Sequence, residues 1–188
     1  MRKVLIYTIL ASLFMVGSAT LCHAQSWGTL SVIYGKIPKY AKGQKVAITT
    51  DFSKTTWDEN KSMKRFWYVE YQENFFEEEM EEKYWEYLMS LRNAVIIGFR
   101  SGRTPLVFSE EGADYTLALT ITNFHDTRHM WRRNIKATGH IDIIDNATSE
   151  TVCRMTINEV EGESDLDEAS AAANCMKEIG ALLSDKRR

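Results

Sequence analysis

Two stretches of strict alternation constrain this chain more than anything else in it. Between Ala113 and Phe124, Tyr115, Leu117, Leu119 and Ile121 alternate with Thr116, Ala118, Thr120 and Thr122. Between Asn134 and Asp145, Ile135, Ala137, Ile141 and Ile143 alternate with Lys136, Thr138, His140 and Asp142. A period of two with one apolar and one polar face predicts antiparallel strands covered on one side only. The remaining segments must supply the cover.

Strand patterns also occupy Trp27 to Gly35 and Lys45 to Phe52, separated by Pro38 and the Lys42-Gly43 pair. In the second of these, Val46, Ile48 and Phe52 share a face. Ser53 to Met63 is polar and predicts a loop, with Trp57 returning to the core. Lys64 to Tyr71 is dense in aromatics, which fits either a short strand or an ordered loop. From Glu73 to about Ile97, Phe76, Met80, Tyr84, Tyr87, Leu88, Leu91 and Val95 recur at helical spacing. Gly98 and Gly102 close that helix, and Pro105 stops it. Leu106 to Phe108 predicts a small edge strand. Thr151 to Val160 predicts a third strand of the meander, and Glu161 to Ser164 breaks its pattern. Asp165 and Glu168 resemble a capping box for a last helix, Leu166 to about Leu183. Its expected buried stripe is Leu166, Ala169, Ala173, Met176, Gly180 and Leu183. These elements predict an α+β two-layer sandwich, mainly antiparallel, with the long helix and the C-terminal helix on one face.

The first residues stand apart. Arg2 and Lys3 precede an apolar run from Val4 to Val16, and Cys22-His23-Ala24 sets small residues at the −3 and −1 positions of a cleavage site. Residues 1–24 therefore predict a secretory signal peptide, and 25–188 a single α+β domain. The expected location is periplasmic or secreted. Lipid anchoring through Cys22 is the minority alternative, because Leu21 is larger than a lipoprotein signal favours before its cysteine. The chain has 23 basic and 26 acidic residues, and losing Arg2 and Lys3 widens the acidic excess. Such a chain has no general electrostatic reason to bind nucleic acid. No later run is apolar enough to span a bilayer. Cys153 and Cys175 remain as a possible disulfide, against the simpler reading of two small buried residues.

The order of elements resembles small cell-envelope accessory domains. The step from Gly98-Phe99 to Gly112-Ala113-Asp114-Tyr115-Thr116-Leu117 carries that resemblance, with Gly139 to Asp145 and the ending Asn174 to Leu183. It is similar to the N-terminal domain of the Tol-Pal β-propeller protein, to curli-secretion lipoproteins and to outer-membrane activators of peptidoglycan synthases. The style also resembles exported proteins of Bacteroidetes. The resemblance implies a partner-binding role in the envelope and transfers no functional residue.

Chemistry-bearing residues gather mainly between the two alternating stretches. His125, Asp126 and His129 are residue types that hold zinc or copper. Their spacing is not that of a helical His-Glu-x-x-His site, so a solvated loop is the simpler reading, and no cofactor is expected. Trp131, Arg132 and Arg133 have the composition of an interface hot spot. With His140 and Arg154 on the polar strand faces they form the candidate binding surface. The glutamates from Glu77 to Glu82 read as a solvated helix face. No nucleophile elbow and no phosphate-binding glycine loop occurs. The expectation is an exported, non-enzymatic accessory module that binds another envelope protein or envelope component. A metal-dependent enzyme built on His125 and His129, and a carrier of a small apolar ligand held between sheet and helices, are the alternatives.

Overall fold

The computed structural model describes residues 28–58, 61–71, 77–102, 104–127 and 132–184. The predicted signal peptide, His129 and Trp131 lie outside them. Among the described residues the strands are β1 (Thr29–Gly35), β2 (Lys45–Asp51), β3 (Thr56–Trp57), β4 (Lys61–Ser62), β5 (Val107–Phe108), β6 (Tyr115–Asp126), β7 (Arg133–Asp145) and β8 (Glu150–Ser164). The helices are α1 (Met63–Tyr71), α2 (Glu77–Ser101) and α3 (Glu168–Ser184). The chain is α+β, with one sheet in the order β1-β8-β7-β6-β2-β5.

The expected meander is present: β6, β7 and β8 pair antiparallel, and β1 joins β8 antiparallel at the edge. The other side differs from the expectation. β2 runs parallel to β6 and to β5, and β3 also runs parallel to β6. A parallel neighbour requires a long crossover, and the segment holding α1 and α2 provides it between β2 and β6.

The alternation of β6 and β8 changes phase partway along. Leu117, Leu119 and Ile121 are buried, and then Phe124. On β8, Cys153, Met155 and Ile157 are buried, and then Val160. An irregularity beside Thr122 and another beside Asn158 and Glu159 account for both. Glu159 takes a left-handed backbone with φ 47°. Each adds one residue and so turns the following side chains to the opposite face. Gly139 lies between the two bulges, and a Cβ there would stand 2.1 Å from the carbonyl oxygen of Thr120. The Thr55 hydroxyl donates to the Ile121 carbonyl at 2.6 Å beside the bulge. β8 therefore continues inward-facing to Ser164 rather than breaking at Glu161.

The aromatic 64–71 segment is neither strand nor loop but α1. Its spacing puts Met63, Phe66 and Trp67 on one buried side. Phe66 stacks on Trp57 with ring centroids 3.7 Å apart, and Trp57 in turn meets Phe124. Three large rings need a core surface, and the helical spacing of three and four supplies it where strand alternation would split them.

Of the expected stripe, helix α2 buries Met80, Tyr84, Tyr87, Leu91 and Val95 and half-buries Leu88, while Phe76 lies outside the described residues; the burial continues to Phe99. Gly98 does not end it. A Cβ on Gly98 would lie 1.9 Å from the carbonyl oxygen of Lys177, and one on Gly180 would lie 2.0 Å from that of Val95. The two glycines let α2 and α3 cross backbone to backbone. Arg92 fastens α2 to the sheet by donating from Nε to the Ile48 carbonyl at 3.1 Å and from Nη2 to Glu110 at 2.8 Å.

Helix α3 starts two residues later than its sequence suggests. Asp167 is the cap, accepting from the Ser170 amide at 2.6 Å. The buried stripe is Ala171, Ala172, Cys175, Met176, Ile179 and Gly180, while Leu166 is 82% exposed ahead of the helix. Glu168, in the first turn, is buried and pairs with Arg133 at 3.2 Å.

Replacing Gly180 by alanine forces a methyl group into the Val95 backbone. We expect a loss of about 1–3 kcal/mol, which lowers the melting temperature by roughly 2–12 °C for a domain of this size. An unchanged melting temperature by calorimetry would contradict the close crossing.

Candidate functional site

The helices cover one face of the sheet, and the polar residues of the alternating strands line the other. Strand register sets them in rows. One row runs Ser31, Thr156, His140, Thr120 and Asp51 across β1, β8, β7, β6 and β2. The next sets Tyr34, Arg154, Asp142, Ala118 and Thr49 side by side. His140 therefore lies mid-sheet, flanked by two threonines.

Arg154 is held by its neighbour. Its Nε and Nη2 donate to the two carboxylate oxygens of Asp142 at 2.5 and 2.6 Å, a fork-on-fork pair directly across the strands. The Asp142 carboxylate keeps the guanidinium pKa above its ordinary value. The Ser53 hydroxyl and amide hold Asp51 below the usual carboxylate range. Lys136 bridges Glu159 and Glu161, each at 3.1 Å, and those bonds raise its pKa.

Arg132 and Arg133, where the chain enters β7, are likewise engaged. Arg132 contacts Glu163 and Asp165 at 3.3 Å each, and Arg133 contacts Glu168. Acidic residues at the end of β8 and the start of α3 thus meet the basic start of β7. Arg132, Arg133, Arg154 and His140 do not form one cluster. Arg132 and Arg133 belong to the β7–α3 corner, and His140 and Arg154 to the polar face.

His125 and Asp126 end β6. His125 Nδ1 lies 3.1 Å from Asp58 Oδ1, and the Asp126 amide donates to the same oxygen at 2.9 Å. Asp58 is a partner that sequence reasoning missed; it reaches this corner from the β3–β4 turn with φ 50°. Among the described residues no three His, Cys, Asp or Glu side chains gather as a metal ion requires.

The two thiols are free and buried. Cys175 donates from Sγ to the Val160 carbonyl at 2.8 Å, and its backbone lies against Gly162. Cys153 sits far upstream on the same strand, and the stretch to Gly162 spans roughly 25–30 Å at about 3.3 Å per residue. A disulfide needs Cα atoms within about 7 Å, so the possible bridge does not form. Burial raises both thiol pKa values, with the Asp142 carboxylate adding to the effect at Cys153.

The largest unpredicted feature is the exposure of strand β1. Only Leu30 of its residues is buried, while Val32, Ile33 and Tyr34 are 46, 60 and 62% exposed. β1 ends the sheet order, so one of its edges pairs with no described strand. Three consecutive apolar residues in a strand carry apolar surface on both faces, and that break in alternation was the available signal.

No family model matches the chain, and no curated protein matches it. Among solved structures it is similar to the PelC dodecamer from Paraburkholderia phytofirmans in space group P6, at 15% identity and a TM-score of 0.47, covering 84% of this chain and 99% of that one. A point variant of that dodecamer in space group C2 matches at 14% identity and a TM-score of 0.41, covering 85% and 99%. Among the described residues no helix is long and apolar enough to cross a membrane.

The separated thiols generate a direct expectation. Cys153 and Cys175 should resist a maleimide reagent in the folded protein and react once denatured, with no loss of two mass units under oxidising conditions. Fast labelling of the native protein, or an oxidised mass, would contradict the buried free pair.

Proposed function

We propose that the chain is an exported, non-enzymatic accessory module that binds another component of the cell envelope, a partner that contributes an extended segment along β1. The exposed apolar residues of β1, which ends the order of the described strands, carry this reading. An edge strand offers a row of backbone donors and acceptors, and natural sheets usually blunt such edges with charge, proline or a covering loop. Here Val32, Ile33 and Tyr34 stand exposed instead. A partner strand would gain ladder hydrogen bonds from the backbone and specificity from alternate side chains. The leader-like first residues and the resemblance to envelope accessory domains support the compartment. The engagement of Arg132, Arg133 and Arg154 in ion pairs within the chain favours the edge over the arginines as the contact.

A photo-crosslinking residue at Ile33, compared with one at Glu86 on the outer face of α2, tests the reading in intact cells. We expect a discrete adduct from position 33, none from position 86, and loss of the adduct when Tyr34 is replaced by lysine. Equal adducts from both positions, or none from position 33, would sink the strand-edge reading.

A further inference from the structure

We infer that the chain holds a single-chain amphiphile with an anionic head in a cavity at the β1–β8 end of its core. The site is separate from the exposed edge of β1 and independent of the reading given to that edge. Its origin is a mismatch of lengths. β8 has 15 residues and α3 has 17. At about 3.3 Å per strand residue and 1.5 Å per helix residue they span roughly 50 and 25 Å. The helix therefore ends, at Ser184, before the apolar face of the sheet does.

Two loops roof the uncovered part. The 36–44 segment and the 104–106 segment are tied where the Gly43 amide donates to the Pro105 carbonyl at 2.9 Å. Beneath them remains a cavity of about 350 Å3. Its floor is Leu30, Leu117, Ile143 and Met155, one from each of four adjacent strands. Leu182 and Leu183 close the helix side, and Ile37, Pro38 and Tyr40 the loop side. Among the described residues no charged side chain lines it. Interiors are otherwise close-packed, and a void of this size lies within the range of small-molecule sites, about 300–1,000 Å3. At roughly 30 Å3 for a water-sized group, it takes about a dozen methylenes.

The lining also gives the ligand an orientation. Leu117 and Ile143 are 2 and 1% exposed at the inner end, whereas Ile37 is 37% exposed at the mouth. Tyr40 edges onto Tyr115 at 5.3 Å, and burial pushes its phenol far above its ordinary pKa. The mouth segment is basic in an acidic chain. Lys36, Lys39, Lys42 and Lys45 follow one another with no acidic residue between them. Lys36 and Lys39 are exposed and flank the lining residues Ile37, Pro38 and Tyr40. An apolar tail fits the interior, and a carboxylate or similar head meets the lysines.

Calorimetric titration of the full chain with decanoate, and separately with decanol, tests this. Decanoate should bind saturably, one per chain. Leu183→Trp, which fills the cavity, should abolish binding while leaving the helical circular dichroism unchanged. The exposed double variant Lys36→Gln and Lys39→Gln should fold normally and weaken decanoate by roughly two- to tenfold, with decanol unaffected. The inference is overturned if decanoate does not bind saturably, or binds both variants as tightly as the parent. Decanol binding more tightly than decanoate, with no effect of the lysines, would overturn the anionic head.

Discussion

The apolar face formed by β6, β7 and β8 is longer than the helix laid along it, and most of the architecture responds to that. Helix α3 covers the stretch near the end of β8, at Gly162 and Val160, and then runs out. Level with Val160 but on β6, Phe124 is covered by Trp57 and Phe66, stacked ring on ring. At the other end two loops take over, and loops do not fill a core as tightly as interdigitated side chains do. The end under the 36–44 and 104–106 loops consequently holds a cavity.

The close crossing of α2 and α3 serves the same covering task. Two helices meeting at Gly98 and Gly180 leave little room between their axes, so Val95, Phe99, Met176 and Ile179 reach the sheet together. Small residues at a crossing exchange side-chain burial for backbone proximity. The exchange is favourable here because Ile141, Leu119 and Ile143 below supply apolar contacts that a wider spacing would open.

On the other face, charge is neutralised locally. Arg154 with Asp142, Lys136 with Glu159 and Glu161, and Arg132 with Glu163 and Asp165 are pairs within β7, β8 and their flanks. Such exposed pairs add little stability. Their consequence is a surface without a concentrated field, which leaves the apolar strip on β1 and the lysine-bearing loop beside the cavity as the distinctive chemistry.

The sequence by itself determined the secondary elements wherever a single period ran long enough to be read. The meander, the stripe from Met80 to Val95 and the last helix are of this kind, because burial on one face imposes period two or 3.6 on any such segment. Tertiary structure decided the rest. Gly98 looks like a helix terminator until α3 lies against it, since a glycine carries no mark of what approaches it. Leu166 looks like a core residue until the cap at Asp167 leaves it outside. Two bulges reversed the phase of β6 and β8, which no fixed period can express. The parallel pairing of β2 with β6, the distance between Cys153 and Cys175, the meeting of His125 with Asp58 and the cavity under Tyr40 all join residues far apart in the chain. Those are relations between elements, and local periodicity holds no information about which element will lie beside which.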